Sequence, residues 1–188
     1  WHRMIIEASE SSDFVGKNVL EIGCGRGGFA LWLATSQFAP AQLTAMDYSE
    51  EAVSQARAAA ADIATQSNVL FSQGDISNIA FPEGTFDTVI SCETIEHVPN
   101  PQKAVSELAR VLKPGGRFLL TTPNYFNLFG LWRLYREVVG RPYTEAGQPI
   151  NQFVMLPQTL SWVRKAGIEI QNYGSAEFLI PRWKRPPA

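Results

Sequence analysis

Apolar residues along this chain fall into short, nearly unbroken runs. Val19, Leu20 and Ile22 form one, interrupted only by Glu21, and Leu43–Met46, Val69–Phe71, Phe86–Cys92 and Phe118–Leu120 repeat the pattern. Runs of this length and density read as strands buried on both faces, at about 19–22, 42–46, 68–73, 86–92 and 117–122. Between them lie stretches with apolar positions three and four apart, which read as helices: Gly28 to Gln37, an alanine-rich segment from Ser49 to Thr65, and Ala104 to Leu112. Local signals agree with these limits. Ser49 is an N-cap with Glu50 and Glu51 in the first turn. Asn100 can cap, and Pro101 suits the first helical position. Lys113 to Gly116 is a turn.

Strand and helix thus alternate five times, which implies a parallel sheet covered on both faces with right-handed crossovers. Before the first strand, residues 1–12 have the spacing of a short helix lying over the site. After Pro123 the pattern loosens. Asn127 to Val139 reads as a broadly apolar helix, 140–149 as a loop, Pro157 to Ala166 as a helix stopped by Gly167, and Ile168 to Tyr173 as a sixth strand. A seventh, near Phe178–Ile180, would be short or absent. The expected fold class is α/β, a doubly wound, mostly parallel sheet of six to seven strands with helices on both faces. The expected organisation is a single domain over 1–188: a ligand-binding core at 14–124, a cover and specificity segment at 125–156, and a last helix, strand and tail at 157–188.

Composition narrows the function. A chain 45% hydrophobic and 18% charged is ordinary globular protein. A net charge of −2 gives no electrostatic case for nucleic acid. Cys24 and Cys92 are the only cysteines, too far apart for a metal-ligand spacing and too few for a disulfide framework, so a reducing, cytoplasmic setting is expected. Nothing in the sequence calls for a metal. No apolar run approaches the roughly 18 residues that span a bilayer, and no leader pattern is visible. The chain begins at Trp1 rather than Met, which leaves room for a preceding segment.

The candidate chemistry sits where the first strand breaks into Gly23, Gly25, Gly27 and Gly28 before a helix. Glycine lets the backbone turn sharply and lets a ligand approach, and the helix start offers unpaired N–H groups. The spacing satisfies the dinucleotide pattern, with Asp47 19 residues past Gly28 where a ribose-binding acid is expected. Glu21 argues against a dinucleotide, because a carboxylate there would repel a pyrophosphate. It suits a ligand carrying an ammonium or sulfonium group. Asp47 and Asp75 follow strands two and three, at the sheet edge where open α/β folds bind ligands.

The residues Glu21 to Gly27, Asp47, Gly74-Asp75-Ile76, Phe86 to Cys92, Ile95 to Pro101 and Leu112 to Gly116 resemble, in order, the motifs of the class I S-adenosylmethionine-dependent methyltransferases. Glu96-His97-Val98 with Lys113 to Gly116 is similar to the small-molecule branch that includes ubiquinone-biosynthesis O-methyltransferases. The resemblance covers roughly 14–124 and implies a Rossmann-like fold of seven strands, the last antiparallel. It implies S-adenosylmethionine as cofactor, S-adenosylhomocysteine as product, and methyl transfer by in-line displacement to a small-molecule acceptor, most readily a hydroxyl oxygen. Gly23, Cys24 and Gly25 would meet the methionine part, and Glu21 its ammonium. Asp47 would bind the ribose hydroxyls, Tyr48 one adenine face, and Asp75 with the Ile76 backbone the adenine edge. Cys92 would be an apolar wall beside the sulfonium, and Glu93, Asn124, Tyr125 and Trp132 would face the acceptor.

His97 is the candidate general base, since an unperturbed imidazole titrates near neutrality; the alternative is that it orients its loop by hydrogen bonding. Other readings set against these are an ion pair of Glu21 with Arg26, Asp47 as a helix cap, and Asp75 as turn chemistry. A non-catalytic cofactor-binding scaffold of the same fold is the alternative function. The helix at 127–139 also has a membrane-surface reading, with Arg133, Arg136 and Arg141 on its polar side; the breadth of its apolar arc argues against it. The sequence does not define an oligomeric state.

Overall fold

The computed structural model describes residues 2–62, 68–125, 127–141 and 149–174. In chain order these form α1 (His2–Glu7), β1 (Asn18–Ile22), α2 (Gly28–Thr35), β2 (Gln42–Asp47), α3 (Glu50–Asp62), β3 (Val69–Gln73), β4 (Phe86–Cys92), α4 (Pro101–Val111), β5 (Leu112–Thr121), α5 (Leu128–Val138) and α6 (Leu156–Lys165). Short 3-10 turns occupy Ser11–Asp13 and Ile95–His97. The caps read from the sequence form: Ser49 Oγ accepts from Ala52 N at 3.2 Å, and Asn100 Oδ1 accepts from Lys103 N at 3.0 Å.

The strands make one parallel sheet in the order β3-β2-β1-β4-β5. β1 is central, and the strand order reverses between it and β4. Open α/β sheets bind ligands beyond the carboxyl ends of the strands at such a switch point. Register brings those ends level, because Ile22 lies beside both Met46 and Ser91. The loops after β1, β2 and β4 therefore meet.

Alternation along β1 feeds two cores. Val19 joins Leu43, Ala45, Phe71 and Ile90 on the face covered by α2 and α3. Leu20 and Ile22 join Met46 and Val89 on the face covered by α4 and α6. Period two puts Glu21 on the first face, and its register partners Ala45 and Ile90 are both fully buried apolar residues. A carboxylic acid thus takes a core position.

The expectation of six to seven strands is corrected to five among the described residues. Residues 168–173 keep the alternation read as a strand, but they join no ladder. Ile168 and Ile170 pack against the second core, while Arg117 reaches the Gln171 side chain. Burial of every second residue against a packed layer produces the same pattern as strand pairing. The strand expected near Phe178–Ile180 lies outside the described residues, as do the end of the helix read to Thr65 and most of the loop at 140–149.

At the start of β5 the turn of Lys113 to Gly116 is accommodated inside the strand as a bulge: Leu112 pairs with Phe86, and the next ladder partner, Arg117, pairs with Thr88. Gly115 takes φ +74°, and a Cβ on Gly116 would lie 2.8 Å from Asp87 O. Lys113 Nζ closes on Asp87 Oδ1 at 2.7 Å. α1 packs Ile5 into the first core, and its Arg3, Ile6 and Glu7 line a cleft of about 570 Å³ with Gly28, Phe29 and Trp32 of α2.

Candidate functional site

The loop after β1 is tied to the end of β2. Gly23 N and Cys24 N both donate to Met46 O, at 2.8 and 3.0 Å. Gly25 N donates to Asp47 Oδ2 at 2.8 Å, and Asp47 Oδ1 accepts from Ser49 N at 2.9 Å. One carboxylate therefore braces the glycine loop and the start of α3 together. Each of its oxygens keeps a further lone pair.

The glycines serve different needs. Gly23 (φ +79°) lets the β4 loop approach, since a Cβ there would lie 2.1 Å from Thr94 Oγ1. At Gly27 (φ +77°) a Cβ would lie 2.8 Å from the Phe71 ring and 2.9 Å from Ala56 Cβ, so the missing side chain lets both pack close. Gly25 (φ +53°) has nothing within 4 Å of a Cβ position, so its backbone is the open one. A contrast in stability follows. Gly23→Ala meets both a left-handed backbone and a steric clash, and should cost about 2–5 kcal/mol. Gly25→Ala should lose only the backbone part, about 1–2 kcal/mol. Urea unfolding of the two variants checks the difference, and equal losses would contradict the packing role of Gly23.

Glu21 is 2% exposed, and its Oε2 has no hydrogen-bond partner among the described residues. Burial, with a smaller push from Asp47, raises its pKa from 4.5 to about 8. The carboxyl is then mainly neutral near pH 7 in the free protein. This revises the sequence argument: Glu21 is not a fixed negative charge but an acid that a neighbouring cation would ionise. The ion pair with Arg26 is not formed; Arg26 is exposed.

Both thiols are held protonated. Burial first, then Glu21, pushes Cys24 and Cys92 up to about 12, so neither is a nucleophile. Tyr48, 78% exposed, follows Asp47, and its carbonyl accepts from Gln73 Nε2 at 3.1 Å, which joins the ends of β2 and β3. Asp75 is exposed and forms the turn considered for it, Oδ1 accepting from Ser77 N at 2.7 Å. The Ile76 side chain is buried in the second core.

Beyond Cys92, Glu93 takes φ +48°, the only non-glycine residue with positive φ among those described, and its N–H donates to Thr121 O at 3.1 Å. Strain of this kind collects at functional sites. His97 ends the following turn. Its Nδ1 lies 2.9 Å from Ile150 O, and its Nε2 3.8 Å from Glu96 Oε1. A carbonyl only accepts, so Nδ1 carries the hydrogen and Nε2 holds the lone pair of the neutral ring. Asn124 Oδ1 accepts from Leu156 N at 3.2 Å at the start of α6. The Tyr125 ring is buried, stacked on Phe153 at 5.2 Å with the Arg133 guanidinium 4.3 Å from its centroid. Trp132 lies on the outward side of α5, stacked on Phe129 at 5.4 Å.

The structure thus gathers Glu21, Gly23, Cys24, Gly25 and Asp47 into one cluster, joins Tyr48 to the end of β3, and sets Cys92 and Glu93 across from Gly23 through Thr94. His97, Asn124 and Tyr125 instead hold the segment 150–156. Two contributors had no assignment from sequence. Thr94 fills the space that Gly23 leaves. Glu96 is 1% exposed, accepts from Thr122 Oγ1 at 3.2 Å, and binds Gln152 N through its carbonyl at 2.7 Å. Its signal was a carboxylate following the apolar Ile95 and directly beside His97. Arg133 is a correction: it is not on the polar outer side of its helix but 4% exposed and turned inward, bonded to both Asn151 Oδ1 and Asn151 O.

A parallel sheet with a glycine turn at its switch point, a buried acid before that turn and an acid at the end of the second strand has the architecture of the open, nucleotide-binding α/β class. Comparison with known proteins carries this further. A family model described as a methyltransferase domain matches residues 20–120. The chain is 30% identical over 162 residues to a ubiquinone biosynthesis O-methyltransferase of Xanthomonas euvesicatoria pv. vesicatoria, covering 85% of this chain and 66% of that protein. It is 40% identical over 113 residues to a fatty-acid O-methyltransferase of Mycolicibacterium smegmatis, covering 58% of this chain and 38% of that one. Among solved structures, the [4+2]-cyclase SpnF superposes with a TM-score of 0.71 at 25% identity, over 90% of this chain and 56% of that chain. The chain belongs to the class I S-adenosylmethionine-dependent methyltransferase family, in its small-molecule branch. That membership implies S-adenosylmethionine as cofactor. The chain spans 38% and 66% of the length of these two curated relatives, and a cyclase on the same fold shows that activity must be argued from the site.

Proposed function

We propose that this chain is the catalytic region of an S-adenosylmethionine-dependent O-methyltransferase whose acceptor is a small, largely apolar molecule bearing a hydroxyl. The observation that carries the reading is Glu21, a buried carboxyl with an unpartnered oxygen at the end of the central strand, beside the open backbone of Gly25 and the lone pairs of Asp47. A core position is a costly place for such a group unless a ligand cation completes it. The donor set fits the cofactor: Glu21 for the ammonium, Gly23, Cys24 and Gly25 for the methionine backbone, and Asp47 for the ribose hydroxyls. Tyr48 supplies an exposed ring for adenine, Asp75 Oδ2 and the Ile76 backbone its polar edge, and Cys92 an uncharged wall. When bound, S-adenosylmethionine supplies a methyl group already activated on a sulfonium.

The chain's own residues position and desolvate the acceptor. His97 Nε2 takes the hydroxyl proton, and the imidazolium so formed has the Glu96 carboxylate 3.8 Å away. Glu93, Asn124, Tyr125 and Trp132 belong to the acceptor side. The Asn124 amide oxygen is held at the start of α6, and Tyr125 acts through the Phe153 and Arg133 stack. The acceptor's apolar character is supported by the density of rings at Tyr125, Phe129 and Phe153 and by the names of the relatives.

A second reading of His97 is favoured by its Nδ1 bond to Ile150 O: the ring holds the cover segment in place. His97→Asn separates the two, because asparagine can still donate to that carbonyl but cannot take a proton. The base role predicts a loss in kcat of about 10²-fold or more with cofactor affinity unchanged. Retention of most activity would make His97 a positioning residue. The activity itself is tested by incubating the protein with methyl-labelled S-adenosylmethionine and a panel of hydroxylated apolar compounds. Label should move to a hydroxyl oxygen, and tight cofactor binding with no transfer across the panel would contradict the reading.

A further inference from the structure

Among the described residues β3 has β2 on one side and no strand on the other. Leu43 N donates to Asn68 O at 2.7 Å, and Gly74 N donates to Asp47 O at 2.9 Å. These bonds turn the backbone groups of residues 68, 70, 72 and 74 toward β2. In a parallel ladder the intervening Val69, Phe71 and Gln73 then turn theirs outward. The stretch from Asn68 to Gln73 carries no charge and no proline, and Leu70 is 58% exposed. An uncharged edge with outward backbone groups is a template for pairing with another chain.

One side chain interrupts this template. Arg57 of α3 donates to Phe71 O from Nε at 3.2 Å and from Nη2 at 3.0 Å. Its Nη1 donates to Glu50 Oε1, at 3.2 Å, near the start of the same helix. We infer that Arg57 is a latch that keeps two copies of this chain from joining through β3. Symmetry explains why one residue suffices. With residues 69, 71 and 73 outward, two antiparallel β3 strands about a two-fold axis place Phe71 opposite Phe71 and Val69 opposite Gln73. The two Phe71 carbonyls are the central acceptors of that ladder. A carbonyl oxygen has two lone pairs, and the two donors of Arg57 take both. The two guanidinium groups would also meet near the axis, where like charges repel. Pairing requires both latches to leave, so each dimer feels their removal twice.

The test is sedimentation equilibrium of the full chain and of Arg57→Ala, with amide hydrogen exchange read residue by residue. Arg57 is half-exposed on its helix and alanine favours helix, so the melting curve should match the wild type. In the wild type the amides of Val69, Phe71 and Gln73 should exchange at a rate independent of concentration. Arg57→Ala should dimerise at least about tenfold more tightly, and those three amides should slow as concentration rises. Arg57→Gln, which loses the fork but keeps a polar helix former, should behave in the same way. Adding Leu70→Lys to Arg57→Ala should restore the monomer, because the two copies of residue 70 are diagonal neighbours across the axis. Sedimentation of both Arg57 variants like the wild type would overturn the proposal. So would association that leaves the three amides unprotected, a dimer that survives Leu70→Lys, or concentration-dependent protection in the wild type. None of these readouts depends on methyl transfer.

Discussion

Glu21→Gln should stabilise the free protein at about pH 8.5 and leave it nearly unchanged at about pH 4.5. Burial, assisted by Asp47, raises the folded-state pKa of Glu21 from 4.5 to about 8. Below the lower value the acid is neutral in both states and costs nothing. As pH rises from there, the unfolded chain gives up this proton while the folded chain keeps it, so stability falls. The fall levels off above the folded value. The full window corresponds to about 5 kcal/mol at most, from 1.36 kcal/mol per pKa unit. For a chain of this size that is on the order of 10 °C in melting temperature. Glutamine cannot ionise and removes the dependence. Thermal melts of both proteins across the window check it, and parallel curves would contradict the assignment. The same substitution should weaken cofactor binding, so the gain in stability is bought with function.

Asp47→Ala should raise the dissociation constant for S-adenosylhomocysteine by about 10²-fold or more, since each hydrogen bond to a charged carboxylate contributes about 1.5–3 kcal/mol. The carboxylate also holds Gly25 N and Ser49 N, so the loop loses its brace along with the ribose contact. Asp75→Ala should cost less, because the Asp75 carboxylate is exposed and its one described bond is a local turn. Titration calorimetry on the two variants orders them. Affinity of Asp47→Ala within threefold of the wild type, roughly the scatter of ordinary surface changes, would remove the ribose role.

How much could be read in advance varied along the chain for physical reasons. β1 through α4 were legible because strands buried on both faces are nearly all apolar, and because Ser49 and Asn100 mark helix starts by local chemistry. Residues 168–173 misled because Ile168 and Ile170 alternate for packing, and alternation alone does not say whether a ladder partner is present. α5 misled in the opposite direction. A helix window sees arginines and assigns them outward, but the partners that draw Arg133 inside are Asn151 and Phe153, about twenty residues away, together with Tyr125. The site divided in the same way. Glu21 and Asp47 could be located by pattern, whereas the neutral state of Glu21 depends on Ala45 and Ile90 beside it in the sheet. The division of labour among the glycines depends on Thr94, Phe71 and Ala56.

The central claim is that Glu21 receives the ammonium of S-adenosylmethionine or its product. Calorimetric titration of S-adenosylhomocysteine near pH 7, repeated in buffers of different ionisation enthalpy, tests it directly. A carboxyl with a pKa of about 8 is mostly protonated in the free protein, and an ammonium bound against it drives the proton off. Binding should release close to one proton in the wild type and none in Glu21→Gln. Binding with no linked proton, or the same release from both proteins, would contradict it.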